Sequence, residues 1–149
     1  MYRLGDSFPY LLNRVGVRIG ELFTARLKPY DVTLPMYRVL ASLWEKSEQR
    51  LNELSAGTTL ENSTLSRLIG MLEERGLVSR KRMPDNARAV SISLTTQGKA
   101  LAEELIPLAQ EFEEVAIHSF GAAEVATLKV AMQEIYEHLN ALAPELLES

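Results

Sequence analysis

Residues 51–98 read LNELSAGTTLENSTLSRLIGMLEERGLVSRKRMPDNARAVSISLTTQG, and this segment determines the type of fold. Apolar residues in its middle recur at the three- and four-residue steps of an amphipathic helix and predict a helix over residues 61–75; they are Leu65, Leu68, Ile69 and Leu72. A shorter helix is predicted before it, capped by Asn52 and running through Ala56. A break at Gly57–Thr59 separates them, and two helices joined by a tight turn form a helix-turn-helix unit.

Gly76 is predicted to end the longer helix, because glycine is the usual residue just past a helix C-terminus. After Gly76 the apolar period changes from 3.6 to 2, which predicts one strand over residues 77–82 and another over residues 89–94. Residues 83–87 (MPDNA) are typical of a turn. We therefore expect a β-hairpin with a long, basic tip.

Helical periodicity continues on both sides of this segment. A long helix is predicted over residues 6–28, ended by Pro29, and a second one follows a cap at Thr33. Helix resumes after Thr95 and Thr96, and another begins at Gly121. The apolar residues of these last two helices form heptad-like stripes: Leu101, Leu105, Leu108, Phe112 and Val115, then Val125, Leu128, Met132, Ile135, Leu139, Leu142 and Leu146.

These stripes are too extensive to be buried within so small a lobe. We therefore expect a two-fold homodimer formed through the terminal helices. The alternative is an intramolecular hairpin of the last two helices in a monomer.

Composition limits the class of protein. The chain has 149 residues, of which 46% are hydrophobic and 24% are charged, as in a folded soluble domain. It has no cysteine, which excludes disulfides, thiolate zinc sites and iron–sulfur clusters. No apolar run approaches the roughly 18 residues of a membrane span, and the first 16 residues lack the apolar centre of a signal peptide, so we expect a cytoplasmic protein.

Charge is unevenly distributed along the chain. The formal net charge is −4, which argues against nucleic-acid binding when taken as an average. Residues 75–90, however, carry five basic side chains and one acidic side chain, whereas residues 99–149 carry 2 basic and 10 acidic ones. Such asymmetry indicates contact with nucleic acid, although a solvated charged face is the alternative for either stretch alone.

Residues 51–98 resemble the DNA-binding lobe of the multiple antibiotic resistance regulator (MarR) family. The motifs are LNELS at residues 51–55, STLSRLI at residues 63–69, LEERGLV at residues 72–78, and Arg88 followed after five residues by Leu94-Thr95 and then by Gly98. Their order and spacing agree over about 50 residues. The flanking helices also match the layout of the family.

The resemblance implies a mainly α fold with a small β-hairpin wing. Residues 33–98 would form the winged helix-turn-helix DNA-binding lobe, and residues 1–30 and 99–149 the helical dimerisation region. Residues 1–149 would thus be a single MarR-like domain. The family wing usually reads Asp-x-Arg before the five-residue spacer; here Asn86 takes the acidic position and Asp85 is displaced by one residue. Either Asn86 or Asp85 could form a hydrogen bond with the guanidinium of Arg88. The bond from Asn86 would be neutral, and a charge-assisted bond such as that of an aspartate is roughly twice as strong.

Candidate DNA contacts lie on the predicted recognition helix and on the wing. The major groove of DNA admits a helix whose leading face carries small polar and donor side chains; those present are Asn62, Ser63, Thr64, Ser66 and Arg67. Arg67 is the candidate for a bidentate contact to guanine, and Asn62 or Ser63 for an adenine edge or a phosphate. On the wing, the candidates for phosphate contacts are Arg80, Lys81 and Arg82, and strand alternation turns at least one of them elsewhere. The resemblance implies that Arg88 enters the minor groove, and Asn86 is the candidate beside it.

The resemblance also implies a small effector, often aromatic or acidic, in a crevice between the dimerisation helices and the winged lobe. Residues positioned for such a crevice are Phe8, Leu12, Arg18, Met36, Tyr37, Leu40, Trp44 and Phe112. Each apolar member has a purely structural alternative, because apolar residues at helical spacing usually pack in a core. Arg18 could anchor a carboxylate, and its alternative is a surface pair with Glu21.

The sequence predicts a sequence-specific, double-stranded DNA-binding regulator that acts as a homodimer on a pseudo-palindromic operator, and a repressor that a small-molecule effector releases. No cofactor is predicted, and His118 and His138 lack metal-ligand spacing. Catalysis is not expected, since the chain has no Gly-rich phosphate loop, HExxH or GxSxG motif. The main alternative is a winged-helix protein-interaction module without specific DNA binding. RNA binding is a third possibility, but the sequence lacks the exposed aromatic residues that would stack bases.

Overall fold

The computed structural model describes residues 1–84 and 86–148, with side chains for all of these residues other than 86–88. Its helices are α1 (Phe8–Leu27), α2 (Leu34–Glu45), α3 (Leu51–Thr58), α4 (Asn62–Glu74), α5 (Thr96–Ile117) and α6 (Ala122–Leu147). Its strands are β1 (Gln49–Arg50), β2 (Val78–Met83) and β3 (Asn86–Leu94). Short 3₁₀ turns at Leu4–Asp6 and Lys28–Tyr30 flank α1. The fold is therefore mainly helical with a small sheet, as predicted.

The sheet is antiparallel, with the strand order β1-β3-β2. In the hairpin, Val78 pairs with Leu94 and Arg82 with Val90, after which the register shifts and Met83 pairs with Asn86. The regular ladder thus ends at the Arg82–Val90 pair, and the Met83–Asn86 pair extends the strands into the predicted turn at residues 83–87. The sequence pattern also missed β1, whose two residues pair with Ile92 and Ser91 of β3.

The end of α4 and the start of α5 meet in one hydrogen-bonded cluster, the Gly76–Thr95 junction. Gly76 has φ 72°, and the amide of Leu77 donates to the Leu72 carbonyl at 2.9 Å, so a Schellman motif ends α4 at the glycine that was predicted to end it. The Thr95 hydroxyl donates to the Gly76 carbonyl at 2.6 Å and accepts from the Gly98 amide at 3.0 Å. The cap predicted at Thr95 or Thr96 is thus Thr95, and it ties α5 to the end of α4.

The starts of α2 and α3 show one confirmed cap and one that is wrong. Thr33 Oγ1 accepts a hydrogen bond from the Met36 amide at 3.3 Å, as predicted. Asn52 does not cap α3, which begins one residue earlier, because the pairing of β1 with β3 keeps the chain extended up to Arg50. The helix also continues through Gly57, where a break was predicted, and ends at Thr59 with φ 59°.

A single hydrophobic core holds these elements together within the first of two compact units, Met1–Phe112. The predicted inward residues of α4 are all buried in it: Leu65, Leu68, Ile69 and Leu72. The guanidinium of Arg75 donates to the carbonyls of Tyr30 and Asp31, which fastens the end of α4 to the turn that follows α1. The predicted winged lobe, residues 33–98, lies within this unit, and the single-domain organisation of residues 1–149 stays a prediction.

Large apolar side chains remain exposed on α1 and in the second unit, Glu113–Ser149. On α1 they are Phe8, Leu11, Leu12, Val15, Val17, Ile19 and Leu22. Helix α6 contains no buried residue. In its predicted heptad-like stripe Val125 and Ile135 are half-buried, and the other members are exposed. Over the described ranges 1–84 and 86–148, no helix taken singly has both the length and the apolar character of a membrane span, and only α5 and α6 taken as a pair meet that test.

A first prediction concerns the close contact at the Gly76–Thr95 junction. A Cβ atom at Gly98 would lie 1.9 Å from the Leu77 carbonyl oxygen, so Gly98→Ala must displace backbone. We expect it to lower the free energy of unfolding by about 1–3 kcal/mol, as overpacking usually does. Gly5→Ala is the matched control, since a Cβ there meets no atom within 4 Å. Urea unfolding at equal protein concentration checks this, and equal midpoints for the two variants would contradict it.

A second prediction follows from the start of α3. The carboxylate of Glu53 pairs with Lys46 and accepts from the Arg50 amide at 3.2 Å, and the Lys46 hydrogen bond, followed by the Arg50 one, lowers the pKa of Glu53. A lowered pKa stabilises the fold above the unfolded-state pKa, and this stabilisation is lost as pH falls through the folded-state value. Glu53→Gln should therefore be less stable than wild type at neutral pH, and the difference should vanish in acid. Glu45→Gln, which loses an exposed carboxylate at the end of α2, is the control in thermal unfolding against pH; a difference for Glu53→Gln that is constant across pH would refute this account.

Candidate nucleic-acid interface

The first half of α4 presents the predicted DNA-contacting side chains. Asn62, Ser63, Ser66 and Arg67 are exposed, whereas Thr64 is half-buried. This division follows from the helical period. Leu65, Leu68, Ile69 and Leu72 form the buried face of α4, so the residues at the other positions lie toward solvent or at the edge of the core. The structure thus brings four of the five candidates together on one open surface of two helical turns.

Two of these side chains face the wing. Asn62 and Ser66, four residues apart, line a groove of about 460 Å³ together with Arg80 and with Val90 and Ile92 of β3. Ser63 and Arg67 lie outside that groove on the neighbouring strip of α4. The helix therefore offers one strip to the groove beside the wing and another directly to solvent.

The basic residues of β2 do not share one environment. Val78 is buried, and strand alternation puts Arg80 and Arg82 on the side of Val78 and Lys81 on the opposite side. Lys81 and Arg82 are exposed. The guanidinium of Arg80 instead turns to α4, where Nε lies 3.8 Å from Glu73 Oε1 and Nη2 donates to the Ser66 carbonyl at 3.3 Å.

Arg75 also has partners inside the molecule, the carbonyls of Tyr30 and Asp31. Sequence reasoning counted it with the basic stretch, because nothing local signals a carbonyl partner 44 residues away. Asp85 and the side chains of Asn86 and Arg88 lie outside the described residues, so their wing roles stay predictions. Lys81 and Arg82 are exposed, and neither has such a partner among the residues whose side chains the structure describes.

The predicted effector residues are dispersed in the structure. Met36 and Leu40 are buried in the core, and Phe8 and Leu12 lie on the exposed face of α1. Arg18 Nε lies 3.9 Å from Glu21 Oε2, both side chains being well exposed, which is the surface pair considered as its alternative.

Of the remaining candidates, Tyr37 and Phe112 pack on the same aromatic ring, and Trp44 lies elsewhere. Tyr37 is half-buried and packs edge-on against Phe23, with ring centroids 4.8 Å apart, and Phe112 packs on the same ring at 5.7 Å. Burial raises the pKa of the Tyr37 hydroxyl. Trp44 is 47% exposed, donates from Nε1 to Glu103 Oε1 at 3.4 Å and lines a different groove, of about 390 Å³, with Lys99. Met36, Leu40, Tyr37 and Phe112 therefore belong to or pack against one core, whereas Phe8, Leu12, Arg18 and Trp44 lie elsewhere, and the effector site stays a prediction.

Comparison with known proteins gives the arrangement a context. Residues 21–105 match the family model of the transcriptional regulator SarA/Rot. The HTH-type transcriptional regulator SarZ of Staphylococcus aureus is 32% identical over 108 residues, covering 72% of this chain and 73% of that protein. The multiple antibiotic resistance protein MarR of Escherichia coli is 28% identical over 126 residues, covering 84% and 88% of the two chains.

Solved structures agree with these matches. A mutant of Escherichia coli MarR complexed with operator DNA has a TM-score of 0.77 and 26% identity, covering 91% of this chain and 99% of that one. CouR from Rhodococcus jostii, bound to p-coumaroyl-CoA, has a TM-score of 0.83 and 26% identity, covering 91% and 95% of the two chains. The predicted winged helix-turn-helix architecture is confirmed.

Proposed function

Because the chain belongs to the MarR family of winged helix-turn-helix transcriptional regulators, we propose that it binds a specific double-stranded DNA operator as a homodimer and represses transcription until a small-molecule effector releases it. Its relatives are transcriptional regulators and not enzymes. The operator is a pseudo-palindrome, since a two-fold dimer presents two equal reading surfaces to half-sites about one helical turn apart.

One observation carries the DNA-binding proposal, namely the open polar surface of α4 beside exposed cations of the wing. Asn62, Ser63, Ser66 and Arg67 leave the leading end of α4 without bulky apolar side chains, and Lys81 and Arg82 add positive charge nearby. This local charge matters more than the net charge of −4, because phosphate attraction is screened over about 8–10 Å and acidic groups farther away have little effect.

The proposed roles follow from donor and acceptor chemistry. Arg67 has the planar fork that bonds guanine at two acceptors, and Asn62 or Ser63 bonds an adenine edge or a phosphate near the N-terminus of α4. Ser66 and the half-buried Thr64 complete the recognition surface. Lys81 and Arg82 grip phosphates, and Arg88, supported by Asn86, enters the minor groove.

The effector proposal is supported by a relative, since CouR is bound to p-coumaroyl-CoA. We propose a small aromatic or acidic effector for this chain as well. Tyr37 and Trp44 are the candidates that keep exposed aromatic surface in the winged lobe. Mass spectrometry of small molecules that co-purify with the protein, followed by release of a bound duplex in a gel-shift assay, identifies the ligand.

A third prediction tests DNA recognition with an operator selected from randomised duplexes. Arg67→Ala should weaken operator binding about tenfold to a hundredfold and relax the preference at one base pair. Lys81→Ala should weaken binding to all duplexes alike and reduce the slope of log affinity against log salt by about 1.

Arg14→Ala is the control for this assay, because it removes the same charge from an exposed position of α1 and should change neither quantity. If no duplex is bound specifically at physiological salt, the protein-interaction module becomes the better description. If Arg67→Ala and Lys81→Ala weaken all duplexes equally, the assignment of base contact to Arg67 is wrong.

Dimer formation is proposed from the apolar surfaces of the terminal helices. The stripe of α6 includes Leu128, Leu139 and Leu146, which are 48–65% exposed in one chain. Contiguous apolar surface of this extent is typical of an interaction site. A second copy of the chain offers the same surface, so each copy can cover the other.

A fourth prediction tests this dimer. Light scattering should give a mass twice the 16.7 kDa of one chain for the wild type. Leu139→Glu should shift the mass toward that of a monomer, because it places a charge in the apolar contact. Gln133→Glu adds the same charge to α6 away from the stripe and should leave the dimer intact. A monomeric wild type would overturn the proposal, as would a Leu139→Glu variant that is folded and fully dimeric.

A further inference from the structure

Arg80 makes two contacts with α4 that span two turns of the helix. Its Nη2 donates to the carbonyl of Ser66 at 3.3 Å, and its Nε lies 3.8 Å from the carboxylate of Glu73. Ser66 and Glu73 are seven residues apart and therefore lie on one face of the helix. The contacts join the middle of β2, in the wing, to the helix that carries the recognition residues.

The face of α4 beneath the Arg80 guanidinium carries a glycine in place of a side chain. Gly70 lies on the same face, four residues after Ser66, and a Cβ atom there would lie 3.7 Å from Arg80 Nη2. The guanidinium thus rests directly over the helix, without a side chain between them. Arg80 reaches this position because strand alternation places it on the side of the buried Val78, whereas Lys81 points away.

The pairing also changes what Arg80 can offer to DNA. Its positive charge lies beside the carboxylate of Glu73, and its Nη2 donates to the Ser66 carbonyl. A phosphate contact requires a free cation that releases counterions from the duplex on binding. Arg80 as placed contributes less to such release than the exposed Lys81 and Arg82.

We propose that Arg80 and Glu73 are positioning residues that latch the wing to α4 and so set the spacing between the wing contacts and the recognition helix. The latch consists of the Arg80 guanidinium, the Glu73 carboxylate and the Ser66 carbonyl. It rests on the proposed function, since spacing matters only if both parts engage one duplex. The latch is partly exposed, and exposed ion pairs are weak, so it acts by favouring one wing orientation.

Glu73→Gln distinguishes the latch from ordinary electrostatics, because the two predict opposite signs. Removing an acidic side chain near DNA reduces repulsion and should strengthen binding to specific and random duplexes together. Loss of the latch should instead weaken operator binding about threefold, with random-duplex binding unchanged or stronger. Glu74→Gln, the next exposed residue of α4, removes the same charge and should not lower the ratio of the two affinities.

Two variants of Arg80 complete the binding test. Arg80→Gln should weaken operator binding about threefold to tenfold while leaving the salt slope at its wild-type value, in contrast to Lys81→Ala. Arg80→Lys keeps the charge but lacks the fork that reaches both partners, so it should also lose operator affinity. The double variant Glu73→Gln/Arg80→Gln should bind the operator no more weakly than Arg80→Gln alone, because either substitution by itself already breaks the Arg80–Glu73 pair.

A measurement without DNA separates this proposal from the proposed function. Hydrogen exchange of the amides of β2 and β3 should become faster in Glu73→Gln and Arg80→Gln but not in Glu74→Gln. A wild type that binds no specific duplex refutes the proposed function, and exchange then still decides whether the latch exists. The latch is overturned by unchanged exchange in both variants, by a salt slope reduced by about 1 in Arg80→Gln, or by Glu73→Gln strengthening both kinds of binding.

Discussion

The Gly76–Thr95 junction is the contact on which the rest of the lobe depends. The Schellman ending at Gly76 turns the chain out of α4, and the hydroxyl of Thr95, which returns from the wing, bonds the Gly76 carbonyl and caps α5. Only glycine allows the approach of Gly98 to the Leu77 carbonyl. Helix α4, the wing and α5 therefore meet at one cluster of backbone groups, and the contacts of Arg80 with α4 add a second connection between the wing and that helix.

The distribution of charge reconciles an acidic chain with a duplex partner. Binding depends on the few cations that can reach phosphate, and not on the sum over the chain. Two of the basic side chains between residues 75 and 90 are engaged inside the molecule, Arg75 with backbone carbonyls and Arg80 with α4. Counting basic residues therefore overestimates the cationic surface. Such a count also overlooks that two of these arginines connect parts of the lobe, Arg75 the end of α4 with the turn after α1, and Arg80 the wing with α4.

The helices and most of the recognition surface were predictable, because their signals are local. Apolar spacing identified the buried face of α4, and with it the exposed positions of Asn62, Ser63, Ser66 and Arg67. Thr33, Thr95 and Gly76 marked helix ends through chemistry confined to a few residues. The effector candidates were less accessible to such reasoning. Met36 and Leu40 lie on the apolar face that the helical spacing predicts, and they are buried in the core, because spacing identifies the apolar face of a helix but not what covers it.

Local pattern was thus sufficient for the kind of elements, their order and the polar strip of α4. Contacts between residues distant in the chain established the remainder. Pairing with β3 created β1, moved the start of α3 away from Asn52 and extended both strands of the hairpin into the predicted turn. Packing against α4 gave Arg80 a carboxylate and a carbonyl partner in place of an open approach to phosphate. The physical reason is the same in each case. A backbone amide or a guanidinium bonds an acceptor that the folded chain brings within reach, and the local sequence does not indicate which distant residue will supply that acceptor.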